Sequence, residues 1–159
     1  MIFCTVGNDT HEFRRFSDYV LRYASDYQDK VFVFQHGHTD VVTDLTNVHL
    51  YPFFSRDEFK RNLKDCEALF CHAGAGTLGT AKSLGVIPLI LPRLKSFNEH
   101  VDNHQLDIFS AYLEQGWGLR LEEFDVNEDY TRNLTDPDRE QLIESLKETI
   151  GEYVGSRNL

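Results

Sequence analysis

At 159 residues the chain can bury one substantial core but is short for two full domains, so residues 1–159 read as a single domain. Acidic residues outnumber basic ones by 26 to 16, a formal net charge of −10 that should repel phosphate backbones and anionic headgroups and argues against nucleic acid as a partner. No apolar run approaches the roughly 20 residues that cross a bilayer, and residues 1–6 lack the basic flank of a signal peptide, so a cytoplasmic protein without direct membrane insertion is expected.

The first apolar run, residues 2–6, predicts a strand that ends in Gly7-Asn8-Asp9-Thr10. Phe13, Phe16, Val20 and Tyr23 then recur at helical spacing and should bury one face. Residues 31–34 predict a second strand and residues 48–51 a weaker third. Ser55-Arg56-Asp57-Glu58 has the form of a capping box and opens a helix that runs to about Lys64. Residues 68–71 read as a buried strand, 76–84 as a helix stopped by Gly85, and 87–91 as another buried strand. After Pro92 a polar loop leads into a helix over 102–114, with Leu106, Phe109 and Leu113 inward, and residues 117–121 form a last short strand. Residues 122–133 are acidic and aperiodic, as in a surface loop. Asp136-Pro137 then starts a closing helix marked by Leu142, Leu146 and Ile150. Strands alternating with helices imply an α/β fold with a mostly parallel sheet and helices on both faces. Cys4, Cys66 and Cys71 are odd in number, lack metal-ligand spacing and sit in or beside apolar segments, which indicates buried reduced thiols and neither disulfide nor zinc.

The stretch richest in chemistry is Cys71-His72-Ala73-Gly74-Ala75-Gly76-Thr77, directly after a buried strand and directly before a helix. Glycines let backbone approach a ligand closely, and the amides and positive dipole end of the helix favour phosphate. The plainer alternative is a tight turn whose glycines only relieve crowding. Gly74-Ala75-Gly76-Thr77-Leu78-Gly79 also matches the dinucleotide fingerprint, which would make this an NAD(P)-binding oxidoreductase domain. That fingerprint belongs in an opening βα unit with an acid ending the next strand, whereas here the next strand ends in Pro92-Arg93.

A second constellation follows in Pro92-Arg93-Leu94-Lys95 and Glu99-His100-Val101-Asp102-Asn103-His104-Gln105. A right-handed crossover brings this loop near the glycine loop, where Arg93 and Lys95 offer charge to a diphosphate. Glu99, Asp102, Asn103 and Gln105 carry the groups that bind sugar hydroxyls, although Asp102 and Gln105 also fit a helix-starting capping box. His100 and His104 lack a third ligand at suitable spacing, so no metal is expected. Gly7-Asn8-Asp9-Thr10 and Gln35-His36-Gly37-His38 line the same crevice or form ordinary turns. Tyr51, Phe53 and Phe54 are core aromatics, or one of them stacks on a base.

These two motifs, in this order and spacing, resemble the C-terminal half of family 28 glycosyltransferases, from Met1 to about Leu121. The match is to the small single-domain subunits of two-part bacterial polysaccharide glycosyltransferases (PssE and EpsF type). The sequence is also similar to the soluble subunit of the dolichol-pathway UDP-N-acetylglucosamine transferase. The resemblance implies one Rossmann-like half of a GT-B fold that binds a UDP-sugar and needs no cofactor or metal. It places Gly74, Ala75, Gly76 and Thr77 at the diphosphate and Glu99, Asp102, Asn103 and Gln105 at the sugar or adjoining groups, with Gly7, His72 and Arg93 also among the donor-binding residues. Related loops carry a glutamate suited to the ribose hydroxyls where this chain has Thr80. A GT-B enzyme needs two facing domains, so the resemblance further implies a membrane-anchored partner subunit that holds a lipid-linked acceptor and recruits this chain to the cytoplasmic face. The general base is then expected mainly on the partner, with His72 and Glu99 the candidates in this chain. A second possibility is a non-catalytic enhancer of a partner that already holds the active site.

Overall fold

The computed structural model describes residues 1–123. Six strands form one wholly parallel sheet in the order β3-β2-β1-β4-β5-β6: β1 Ile2–Thr5, β2 Phe32–Gln35, β3 Val48–Tyr51, β4 Ala68–Cys71, β5 Pro88–Ile90 and β6 Leu119–Arg120. Four helices connect them: α1 Arg14–Asp26, α2 Arg56–Asp65, α3 Ala75–Ser83 and α4 His104–Glu114. The sequence expectation of a mostly parallel α/β sheet therefore holds, with each predicted element up to β6 found within one or two residues. The predicted acidic loop past Glu123 and the closing helix after Pro137 lie outside the described residues.

Alternation along the strands sorts the core into two layers. Ile2, Cys4 and Val6 join Phe32, Phe34 and Phe70 beneath α1, which contributes Phe16, Val20 and Tyr23. Phe3, Leu69 and Ile90 turn to the other face, where α2, α3 and α4 cover them with Leu63, Leu78, Ala81 and Phe109. Burying each such side chain contributes about 1.5–3 kcal/mol, so both helical layers are pinned to the sheet. Cys4, Cys66 and Cys71 are free and buried, and burial raises the Cys4 and Cys71 thiols well above their ordinary range.

Two local devices fix the helices beside the crevice. Ser55 Oγ accepts from Glu58 N while the Glu58 carboxylate accepts from Ser55 N, completing the capping box at α2. At the far end of α3, Gly85 N donates to Lys82 O and Val86 N to Ala81 O, the pairing that closes a helix at a glycine. Register does the rest. Thr5 stands opposite both Gln35 and Cys71, and Cys71 opposite Ile90, so the loops after β1, β2, β4 and β5 leave the sheet along one edge. The strand order reverses direction between β1 and β4, which makes that edge the expected place for a ligand.

Candidate functional site

A cavity of about 410 Å³ opens at this reversal point, lined by Gly7 and Asn8 after β1, Gln35 ending β2, Phe54, Arg56 and Phe59 around the start of α2, and His72, Gly76 and Thr77 after β4. Gly74 is the N-cap of α3 and no side chain caps that helix, so its first amides are left without a side-chain partner, and Gly76 and Thr77 of that first turn line the cavity with the helix dipole behind them. Gly76 faces open space, which leaves its backbone approachable.

His72 forms the floor. Its ring is 7% exposed and fits between Gly7 and Gly74, where a Cβ on either glycine would overlap the imidazole. Gly7 also has φ +75, the left-handed region that only glycine enters freely, so this position is closed to side chains twice over. Burial, with the Arg93 charge adding to it, lowers His72 to about 4, so the ring is neutral at neutral pH. His72 Nδ1 and Gln35 Oε1 are buried without a hydrogen-bond partner, an unusual pair of orphans for one cavity.

The loop between β5 and α4 is built differently. Arg93 is wholly buried, stacks on Phe13 at 4.7 Å, and donates to His11 O at 2.9 Å, Glu99 O at 3.0 Å and Val6 O at 2.9 Å. The expectation that Arg93 presents charge to a diphosphate is corrected here: its guanidinium braces three backbone segments from beneath. Glu99, 3% exposed, accepts from Leu94 N and pairs with Arg15 at 2.9 Å. Asp102 and Asn103 are exposed, and their side-chain oxygens accept from His104 N and Lys95 N. Gln105 is buried, and its Oε1 accepts from Ala73 N and Arg93 N. The capping box proposed for Asp102 and Gln105 does not form, because two buried amides claim the Gln105 oxygen and Asn103 becomes the N-cap.

The two candidate bases differ in their surroundings. His72 is buried and neutral, and Glu99 is committed to Arg15 and a backbone amide. Thr80 Oγ1 donates to Gly76 O at 2.8 Å inside α3. Two loops meet instead at Asp9, which pairs with His11 Nδ1 at 2.7 Å and His100 Nε2 at 3.6 Å. Burial alone would raise the Asp9 carboxyl, but bonds from the His11 amide and ring, with the Arg93 charge, hold it below the ordinary range. Among the described residues no three His, Cys, Asp or Glu side chains converge as a metal cluster, and no helix is long and apolar enough to cross a membrane.

Arg56 and Phe59 were missed by the sequence reading, and Phe54 was left between core and base stacking. The signal was available. The Ser55–Glu58 box starts α2 immediately after β3, at the same sheet edge as the glycine loop. The dinucleotide alternative fares worse in three dimensions. The glycines follow β4 and not β1, and at Gly79, the fingerprint's packing glycine, an added Cβ would meet only open space.

Comparison with solved structures shows the same fold in glycosyltransferases. The glycotransferase of kitacinnamycin superposes with a TM-score of 0.66 at 15% identity, over 95% of this chain and 39% of that one. SnogD from Streptomyces nogalater gives 0.62 at 22% identity over 95% and 39%, and CalG4, the calicheamicin glycosyltransferase, 0.61 at 16% over 94% and 38%. The chain thus spans about two fifths of the length of these structures. A comparison with curated protein sequences gave no match. The model of the glycosyltransferase family 28 C-terminal domain matches residues 1–149. By that match, which leaves out only the last ten residues of 159, the chain belongs to glycosyltransferase family 28 through its C-terminal domain.

Proposed function

We propose that this chain binds the nucleotide sugar for a glycosyltransferase, with a UDP-sugar across the end of α3. The observation that supports this reading is the cavity where the strand order reverses. It joins uncapped helix amides to two buried polar atoms, His72 Nδ1 and Gln35 Oε1, that have no partner. Phosphate is the chemistry such amides favour, and Phe54 and Phe59, which line the same cavity with Arg56, suit a nucleobase. The sugar then projects toward the loop before α4, where the exposed Asp102 and Asn103 meet its hydroxyls.

In the reaction an acceptor hydroxyl attacks the anomeric carbon, the bond from that carbon to the phosphate oxygen breaks, and the nucleoside diphosphate leaves with the electron pair. The amides of 74–77 stabilise the charge that gathers on the leaving diphosphate. Taking up the hydroxyl proton falls to a group outside the residues of this cavity, because His72 is neutral, buried and a weak base. We assign that base, and the lipid-linked acceptor of a polysaccharide pathway, to a membrane-anchored second subunit. Titration calorimetry tests the binding claim: saturable binding of UDP and a UDP-sugar is expected, and saturable NAD binding without UDP binding would refute it. An enhancer of a self-sufficient partner would keep its effect after Gly74→Ala, whereas a nucleotide-sugar-binding subunit loses it.

A further inference from the structure

The β4–β5 ladder closes at Cys71 and Ile90, with Leu91 N donating to Cys71 O at 2.9 Å. Just beyond it the two strands separate, β4 into the glycine loop and β5 into the loop before α4. The buried amides of Ala73 and Arg93 both donate to one atom, Gln105 Oε1, at 3.2 and 3.0 Å. Gln105 is 6% exposed and stands in the first turn of α4. Two amide donors on one oxygen settle which end of the carboxamide is the acceptor. A side-chain atom thus supplies the last rung between the strands, and it holds the residue directly before Gly74, the N-cap of α3.

We infer that Gln105 is a positioning residue of the nucleotide site: by bonding Ala73 N and Arg93 N it sets the angle at which the amides of 74–77 face the diphosphate. This inference rests on the nucleotide-sugar reading above, and it moves Gln105 from the sugar to the support beneath the phosphate. Several amides share one diphosphate, so a displacement of about 1 Å at Ala73 weakens all their bonds together. The same atom ties the glycine loop to the loop before α4, so order in one loop favours order in the other.

The test compares Gln105→Met, which keeps the side chain's length and removes its acceptor, with Phe109→Leu, which thins the packing of the same helix and touches neither amide. Calorimetry with UDP, UDP-glucose and UDP-N-acetylglucosamine should show Gln105→Met weakening UDP about tenfold and each sugar nucleotide that the wild type binds by the same factor. Phe109→Leu, at a similar loss of Tm, should keep UDP affinity within about twofold. Unchanged UDP affinity in Gln105→Met overturns the inference, as does a loss confined to the sugar nucleotides or an equal loss in Phe109→Leu. Amide exchange supplies a readout that needs no nucleotide. Protection at 73–77 should fall about tenfold in Gln105→Met and persist in Gln105→Glu, which keeps an acceptor oxygen and also serves if the methionine variant does not fold. Unaltered protection in Gln105→Met, or protection lost in Gln105→Glu, overturns the inference, whereas a wild type that binds no UDP while the exchange result holds would refute only the nucleotide-sugar reading.

Discussion

The loops after β4 and β5 look alike in sequence and behave as opposites in the fold. Both follow short buried strands, both precede a helix, and both carry residues that a ligand could use. The β4 loop leaves its hydrogen-bonding capacity open: α3 has no side-chain cap, and His72 Nδ1 has no partner. The β5 loop largely closes on itself, with Arg93, Glu99, Asp102, Asn103 and Gln105 all bonded to backbone and Arg93 Nε left over without a partner. On the proposed reading, the loop poor in side chains takes the ligand and the loop rich in them is its scaffold. The reason is that small residues cannot satisfy the amides of a helix start, whereas long polar side chains beside an irregular backbone satisfy it first.

The sharpest way to break this contrast is at its two buried basic side chains. Arg93→Met would leave the carbonyls of Val6, His11 and Glu99 without their donor, and a loss of about 4 kcal/mol in denaturant unfolding is expected. If the variant instead unfolded like the wild type and lost only UDP affinity, Arg93 would be a ligand residue after all. His72 gives the next largest effect, through pH. Burial holds it near 4 in the folded chain, against 6.5 for an ordinary histidine. Between those values the unfolded chain takes up a proton that the folded chain does not. Stability therefore falls as pH drops through 6.5 and levels off below 4, a contribution of at most about 3 kcal/mol. Urea unfolding of wild type and His72→Asn at pH 7 and pH 4.5 measures it, since the variant lacks this part of the slope. Equal slopes would mean that the ring reaches solvent and that the floor of the cavity is open.

Most of the fold was legible because each strand announced itself locally. Ala68-Leu69-Phe70-Cys71 has no polar residue to confuse the assignment, and Ser55 with Glu58 named the start of α2. The glycine loop was legible for the same reason, as the glycines sit directly between a buried strand and a helix. What could not be read was which polar side chains face inward. Arg93 and Lys95 differ by two positions, yet one is fully buried and the other exposed, because only the first lies beneath the meeting of β1, the β1–α1 loop and the β5–α4 loop. Gln105 was hidden likewise. Its partner Ala73 is 32 residues away, and no spacing rule anticipates that contact.

The two remaining substitutions read the contrast directly, one from each loop. Gly74→Ala sets a methyl group against the His72 ring, so either the ring moves into the cavity or the glycine loop shifts, and UDP affinity should fall on the order of 100-fold by calorimetry. Asn103→Ala removes a single acceptor for Lys95 N at an exposed helix start and should cost about 1 kcal/mol in unfolding. Its UDP affinity should stay within about twofold, with a few-fold loss only in the increment that the sugar adds. A smaller effect at Gly74 than at Asn103 would invert the assignment, because phosphate contacts draw on several amides fixed by the loop's path, whereas Asn103 offers a sugar only the NH2 group that its own backbone bond leaves over.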